Sequence, residues 1–362
     1  MKLRISISLL ALLLAASCVK SETEIHGQIA KLWEENFVKN YDETEALDIF
    51  VVTNRNQKSA NFDCKEDAFG PKNGAALQFG VCKINVPKNH DTTETALSNN
   101  VQNSSANYYK ILEAKSLAEA DLIKQIKDSK RTPLIFVHGF NVKYHEAILR
   151  ASQIAYDLKY QGPIILFTWP AGSKDGSFGV INKTYEDNAV TARESVATFR
   201  DLIARLQKND IIPNIIVHSM GHQVMLPALN QLSLKNPQTQ YVNELILNAP
   251  DFDAQSFANF ANNLKETSKR TTLYCSYNDK AMSASEIMNK NDRLGACSFN
   301  QNIDVINVSL LKNANNGLGH SYYSSREILT DVTQLLLGIK AEKRIFIKKS
   351  EPNSTEKYFL RD

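Results

Sequence analysis

The sequence predicts an α/β protein: a mostly parallel, doubly wound sheet of about eight strands, with helices on both faces and no large cap domain. Two observations predict it. Short apolar runs recur along the chain, and longer stretches of helical periodicity separate most of them. One of those runs, Ile215-Ile216-Val217-His218, stops abruptly at Ser219-Met220-Gly221, and a helical pattern begins at once. That is the layout of a nucleophile elbow, a sharp strand-to-helix turn that lifts a serine hydroxyl above the sheet edge.

The elements follow in order. Residues 1–17 read as a signal peptide, since Lys2 and Arg4 precede the apolar run Ile5 to Leu14, which is too short to span a bilayer. Ala15-Ala16-Ser17-Cys18 resembles a bacterial lipobox, which makes Cys18 the expected lipid attachment site; ordinary cleavage at the same bond is the plainer alternative. The expected location is therefore the bacterial cell envelope, with the protein exported and held to a membrane by its lipid. Residues 18–46 read as a polar lead-in and helix, 47–338 as the main domain, and 339–362 as a solvated basic tail with Lys340, Lys343, Arg344, Lys348 and Lys349.

Strands are predicted at Leu47 to Val52, Leu77 to Ile84, Leu134 to Val137, Ile164 to Trp169, Asn214 to Val217, Glu244 to Leu247, Thr271 to Cys275 and Asp304 to Val308. Pro87 to Asn107 is rich in Asn, Thr and Ser and reads as a loop. Helices are predicted at Tyr144 to Lys159, Glu186 to Leu206, Ser219 to Leu234, Phe252 to Leu264 and Ser324 to Leu337, with a kink expected near Pro227. The interval between Pro250 and Thr271 holds one helix and leaves no room for a cap domain.

Composition excludes some classes. Of 42 basic residues, two lie in the leader, which leaves 40 against 39 acidic ones and gives no reason to expect a nucleic-acid partner. Four cysteines remain after Cys18. Exported proteins keep disulfides, and short loops favour Cys64–Cys82 and Cys275–Cys297, with buried free thiols as the alternative. No pair has zinc-ligand spacing, and no metal or organic cofactor is expected.

A lone serine means little, because most simply satisfy backbone groups. Ser219 rises above that background through its helpers. Among seven histidines, His320 follows the last strand in a glycine-bearing loop, whereas His26 and His90 lie outside the regular pattern. His138 belongs to a turn and His145 to a helix, and His218 and His222 flank the serine where elbow geometry points them away from its hydroxyl. Asp279, after the strand ending at Cys275, can orient the imidazole; Asp251 and Asp253, one strand earlier, are the alternative acids and can equally cap the next helix. The backbone N–H groups of Met220 and Phe140 can form an oxyanion hole, with Gly139 permitting close approach. Trp169 and Phe140 are candidate walls of a substrate pocket, although a core anchor is an equal reading of Trp169.

The segments FVHGFN (Phe136 to Asn141), LFTWPAGS (Leu166 to Ser173), VHSMG (Val217 to Gly221), LNAPDFD (Leu247 to Asp253), YCSYNDKAM (Tyr274 to Met282) and GHSYY (Gly319 to Tyr323), with VTNRN at Val52 to Asn56, together resemble an α/β-hydrolase of a bacterial branch of unknown physiological function. The order Ser219, Asp279, His320 is that of the α/β-hydrolase fold. The resemblance implies an eight-strand core, a Ser–His–acid triad and hydrolysis of a carbonyl compound. With no cap, the site is expected to be open or shallow and to take a small-molecule or surface-presented acyl substrate, and the main expectation is a serine hydrolase of carboxylic esters working through an acyl-enzyme. Acyl transfer to an alcohol or amine, or a non-catalytic lipid-anchored envelope scaffold, are the alternatives. One departure stands out: Val217 replaces the first glycine of the common G-x-S-x-G elbow and is expected to loosen or tilt the turn.

Overall fold

The computed structural model describes residues 44–90, 95, 104–172, 181–298, 303–312, 318–351, 354 and 356–361. The leader, Cys18, nearly all of the 18–46 lead-in and residues 173–180 lie outside the described residues.

The strands are β1 (Glu45–Gln57), β2 (Phe69–Val86), β3 (Lys110–Ser116), β4 (Leu134–Val137), β5 (Ile164–Thr168), β6 (Asn214–His218), β7 (Val242–Asn248), β8 (Ser268–Cys275), β9 (Asp304–Asn307), β10 (Ile347–Lys349) and β11 (Tyr358–Leu360). They form one sheet in the order β10-β11-β9-β8-β7-β6-β4-β5-β1-β2-β3. Neighbours from β1 through β5, β4, β6, β7, β8 and β9 to β11 pair in parallel, and β2, β3 and β10 join antiparallel at the two margins. The sheet thus has eleven strands, not eight. The eight expected ones are all present, and β3, β10 and β11 are additional. The last two correct the expectation of a solvated tail: Ile347, Tyr358 and Leu360 are buried in the core, while Lys348 and Lys349 stay exposed.

The helices are α1 (Glu119–Ser129), α2 (Tyr144–Asp157), α3 (Ile181–Lys208), α4 (His222–Lys235), α5 (Ala254–Thr267), α6 (Lys280–Asn289) and α7 (Arg326–Leu336). The period-2 alternation of a strand sorts their partners onto two faces. Ile135, Val137, Ile165, Phe167, Ile215, Val217, Leu245, Leu247 and Leu273 meet apolar residues of α1, α3, α4 and α5. The intervening Leu134, Phe136, Ile164, Leu166, Ile216, Ile246 and Tyr274 meet α2 and α7 on the other face. Helix α4 continues through Pro227, and only α5 lies between Pro250 and Ser268.

Both expected disulfides form, Cys64–Cys82 across 6.0 Å between Cα atoms and Cys275–Cys297 across 5.1 Å. The first ties the β1–β2 connection to β2. The second ties the end of β8 to the segment after α6. Among the described residues no helix is long and apolar enough to cross a membrane.

Candidate active site

In a parallel sheet every strand delivers the following loop to the same carboxyl edge, where sites of such folds assemble. Here that edge receives His138 to Val142 after β4, Trp169 after β5, Ser219 after β6, Asp251 after β7, Asp279 after β8 and His320 after β9.

Ser219 opens a 3-10 turn between β6 and α4 and has φ of 52°, a left-handed conformation that non-glycine residues seldom adopt. Two glycines make room for it. A Cβ on Gly221 would stand 2.6 Å from the His138 carbonyl oxygen, and one on Gly139 would stand 2.7 Å from Ser219 Cβ. Val217 is fully buried, paired with Val137 and Leu247 in register, and it packs on the face of α3 and α4 while Ser219 keeps its left-handed backbone.

His320 and Asp279 meet directly, Nδ1 to Oδ2 at 2.7 Å. The other Asp279 oxygen accepts the Met282 amide at 3.1 Å, so this buried carboxylate caps α6 and orients the imidazole at once. Lys280 N–H donates to the Leu318 carbonyl at 2.9 Å and joins the acid loop to the histidine loop. The His320 side chain is 17% exposed. Its Nε2 and Ser219 Oγ make no hydrogen bond among the described residues. Their loops adjoin through His218, whose Nε2 lies 3.3 Å from the His320 carbonyl oxygen and whose ring centroid is 4.7 Å from that of His320.

The two alternative acids are engaged elsewhere. Asp251 is buried among Tyr185, Ser285 and Arg293, at 2.9, 2.6 and 3.3 Å. Asp253 caps α5 by accepting the Ser256 amide at 2.6 Å. Trp169 resolves toward the core anchor: it is fully buried, its Nε1 donates to the His138 carbonyl at 2.9 Å, and its ring stacks on His138. That removes it from the pocket wall.

The loop bearing the Phe140 amide rests on a buried polar network that the sequence did not announce. Arg55, 1% exposed, donates from Nε to Thr168 Oγ1 at 2.9 Å, from Nη1 to the Ala171 carbonyl at 2.8 Å, and from Nη2 to the Val142 carbonyl at 2.8 Å and His138 Nε2 at 3.3 Å. None of these acceptors is a carboxylate, and burial pulls the guanidinium down to about 9. Asn188 adds a second clamp, its Oδ1 accepting the amides of Asn141 and Gly172, each at 3.0 Å. Arg55 lies within VTNRN, a polar run beyond the predicted end of the first strand at Val52, and its place in that segment was the available signal.

Burial also holds three histidines neutral around the turn. His138 and His222 are each lowered to about 3, and His218 is held well below its ordinary value by burial and by neighbouring His320. His222 donates from Nδ1 to the Ser219 carbonyl at 2.7 Å, which steadies the left-handed residue.

A cavity of about 410 Å³ lies beside this edge. Phe140, from the loop after β4, and Leu318, from the loop that carries His320, both border it, with Phe69, Tyr144, Ala171 and Arg55 completing much of its wall. Its size suits a small organic group. Among the described residues no cluster of His, Cys, Asp or Glu could hold a metal ion.

Comparison with known proteins agrees with the fold. A family model described as "Alpha/beta hydrolase of unknown function (DUF900)" matches residues 114–339. No curated protein matches. Among solved structures, phospholipase PlaB from Legionella pneumophila is similar at 14% identity over 64% of this chain and 69% of that chain, with a TM-score of 0.29. At that TM-score the likeness bears on neither fold nor function.

Proposed function

Because the chain belongs to this family of α/β-hydrolases of unknown function, we propose that it is a serine hydrolase that cleaves carboxylic ester or related acyl bonds through an acyl-enzyme. The observation that carries this reading is the 2.7 Å bond from His320 to Asp279, at the same sheet edge as a serine held at φ 52°.

His320 Nε2 takes the proton of Ser219 Oγ as the oxygen attacks the acyl carbon, and Asp279 stabilises the imidazolium. The Phe140 and Met220 amides hold the oxyanion; losing one such donor typically costs roughly 100- to 1000-fold in rate. Collapse expels the alcohol, which takes the proton from His320. Water then attacks the acyl-serine, gives a proton to His320, and the carboxylic acid leaves as that proton returns to Ser219. The cavity beside Phe140 accommodates the acyl or alcohol group.

A fluorophosphonate probe tests the proposal. Wild type is expected to be labelled at Ser219, and Ser219→Ala to remain unlabelled while folded. Equal labelling of both proteins would sink it.

A further inference from the structure

His218 is the residue before the nucleophile, and nothing in the proposed chemistry uses its ring. Yet that ring meets three separate pieces of the site. Its Nε2 donates to the His320 carbonyl at 3.3 Å. Its face stacks on Tyr323 with centroids 3.7 Å apart and planes 21° apart. Its Nδ1 lies 3.0 Å from where a Cβ on Gly139 would stand, so the glycine of the oxyanion loop passes against its edge. By chain connection it carries Ser219. One rigid ring therefore spaces the elbow, the oxyanion loop and the histidine loop.

The charge state suits that role. Donation to a carbonyl requires a hydrogen on Nε2, which the neutral tautomer supplies. A charged ring would oppose the imidazolium that forms on His320, whose centroid is 4.7 Å away. The titratable and charged groups around the ring are His320, His222, Tyr323 and Arg150, the last standing 5.9 Å over the Tyr323 ring. Neither His222, which is itself held neutral, nor the cation of Arg150 favours a proton on His218.

We propose that His218 is a positioning residue: it sets the approach of His320 Nε2 to the Ser219 hydroxyl by holding the His320 carbonyl through its Nε2 and the Gly139 backbone at its edge. The inference rests on the serine-hydrolase reading. A misplacement of about 1 Å at a reacting pair can cost roughly 100-fold, so a change of this ring is expected in kcat and not in substrate affinity.

The test uses the full chain carrying His218→Phe, which keeps a flat ring but no donor, and His218→Gln, which keeps a donor but no stack. With a soluble p-nitrophenyl ester, His218→Phe is expected to lower kcat about 10- to 100-fold with KM within twofold, and to slow fluorophosphonate labelling of Ser219 by a similar factor. His218→Gln is expected to recover part of that loss. Tyr323→Leu, which removes the stack from the other side, should slow labelling in the same direction and serves if His218→Phe does not fold. A kcat within twofold of wild type in folded His218→Phe, or in folded Tyr323→Leu where that variant stands in for it, overturns the proposal. So does a loss that appears only in KM. Failure of wild type itself to label would instead overturn the serine-hydrolase reading, which separates the two outcomes.

Discussion

The two loops that flank Ser219 are built in opposite ways. The oxyanion loop, His138 to Val142, is gripped from below by Arg55, by Asn188 and by the Trp169 indole, all buried. The histidine loop at Leu318 to His320 is held by the Lys280 amide, the His218 ring and the Asp279 carboxylate, and Leu318 is 64% exposed. The contrast matches the chemistry proposed for each. Oxyanion donors must be fixed before charge develops, since reorganising them costs the advantage they supply. In the proposed reaction the imidazole exchanges protons with serine, alcohol and water in turn, and needs an orienting partner more than an immobile backbone.

The largest expected effect is that of acid on the buried histidines around Ser219, one in the oxyanion loop and two beside it. His138, His218 and His222 are neutral in the fold because burial depresses them. Below their ordinary value of 6.5 the unfolded chain binds protons that the native protein refuses, so stability is full above 6.5 and falls as pH drops below it. At about 1.4 kcal/mol per pH unit for each proton, three groups remove up to ~6 kcal/mol by pH 5. His90, raised by its Asp157 partner against the opposing effect of burial, works the other way, adding stability below 6.5 that is lost as pH rises through its raised value. Urea unfolding at pH 7.5, 6 and 5 measures the slope. His222→Gln should flatten it by one proton's share, about 1.4 kcal/mol per pH unit, and a slope unchanged in that variant would mean the ring is not neutral in the native state.

Arg55 comes next. Arg55→Met deletes four donations to buried acceptors, with an expected cost of about 3 kcal/mol even after the guanidinium's own desolvation is relieved. Calorimetry should show melting lowered by roughly 5 to 10 °C. Arg55→Lys should recover little, because an ammonium cannot reproduce the planar fork. A variant that melts like wild type would erase the contrast between the loops.

The smallest effect belongs to the open side. Leu318→Ser should change stability by less than about 0.5 kcal/mol, as for most exposed positions, yet raise KM for esters with apolar acyl groups because Leu318 borders the cavity. Steady-state kinetics across two acyl lengths would show it, and an unchanged KM would detach the cavity from the substrate.

Much of this was legible in the sequence, and the exceptions have physical causes. The central parallel strands were visible because burial on both faces writes continuous apolar runs, and β2 was visible through the alternation of its Leu77 to Ile84 stretch. Strand β3, KILEAKS, was invisible because it is an exposed marginal strand with only two half-buried residues. Strands β10 and β11 are three residues each, too short for any period to register, and their lysines read as solvated. The serine turn was announced by an apolar run ending at Ser219 with glycine two residues on, and Asp279 and His320 by their positions after strands. Arg55 escaped because charge ordinarily means exposure, and only tertiary acceptors supplied by β5 and the loop after β4 make its burial tolerable. Position after the strands already favoured Asp279 over Asp251 and Asp253, but the partners of the three were not legible: Asp279 meets His320, Asp251 meets Tyr185, Ser285 and Arg293, and Asp253 caps a helix.

The short strand Tyr358–Leu360 lies alongside Asp304–Asn307, the strand that leads to the histidine loop. Proteolytic clipping near Gly338 would strip that neighbour away and leave a row of unsatisfied amides and carbonyls facing water. A bare margin of this kind recruits strands from other molecules. Trimming from the carboxyl end therefore threatens self-association first and chemistry second, and the charged outer strand with Lys348 and Lys349 acts as the fold's own fence against it.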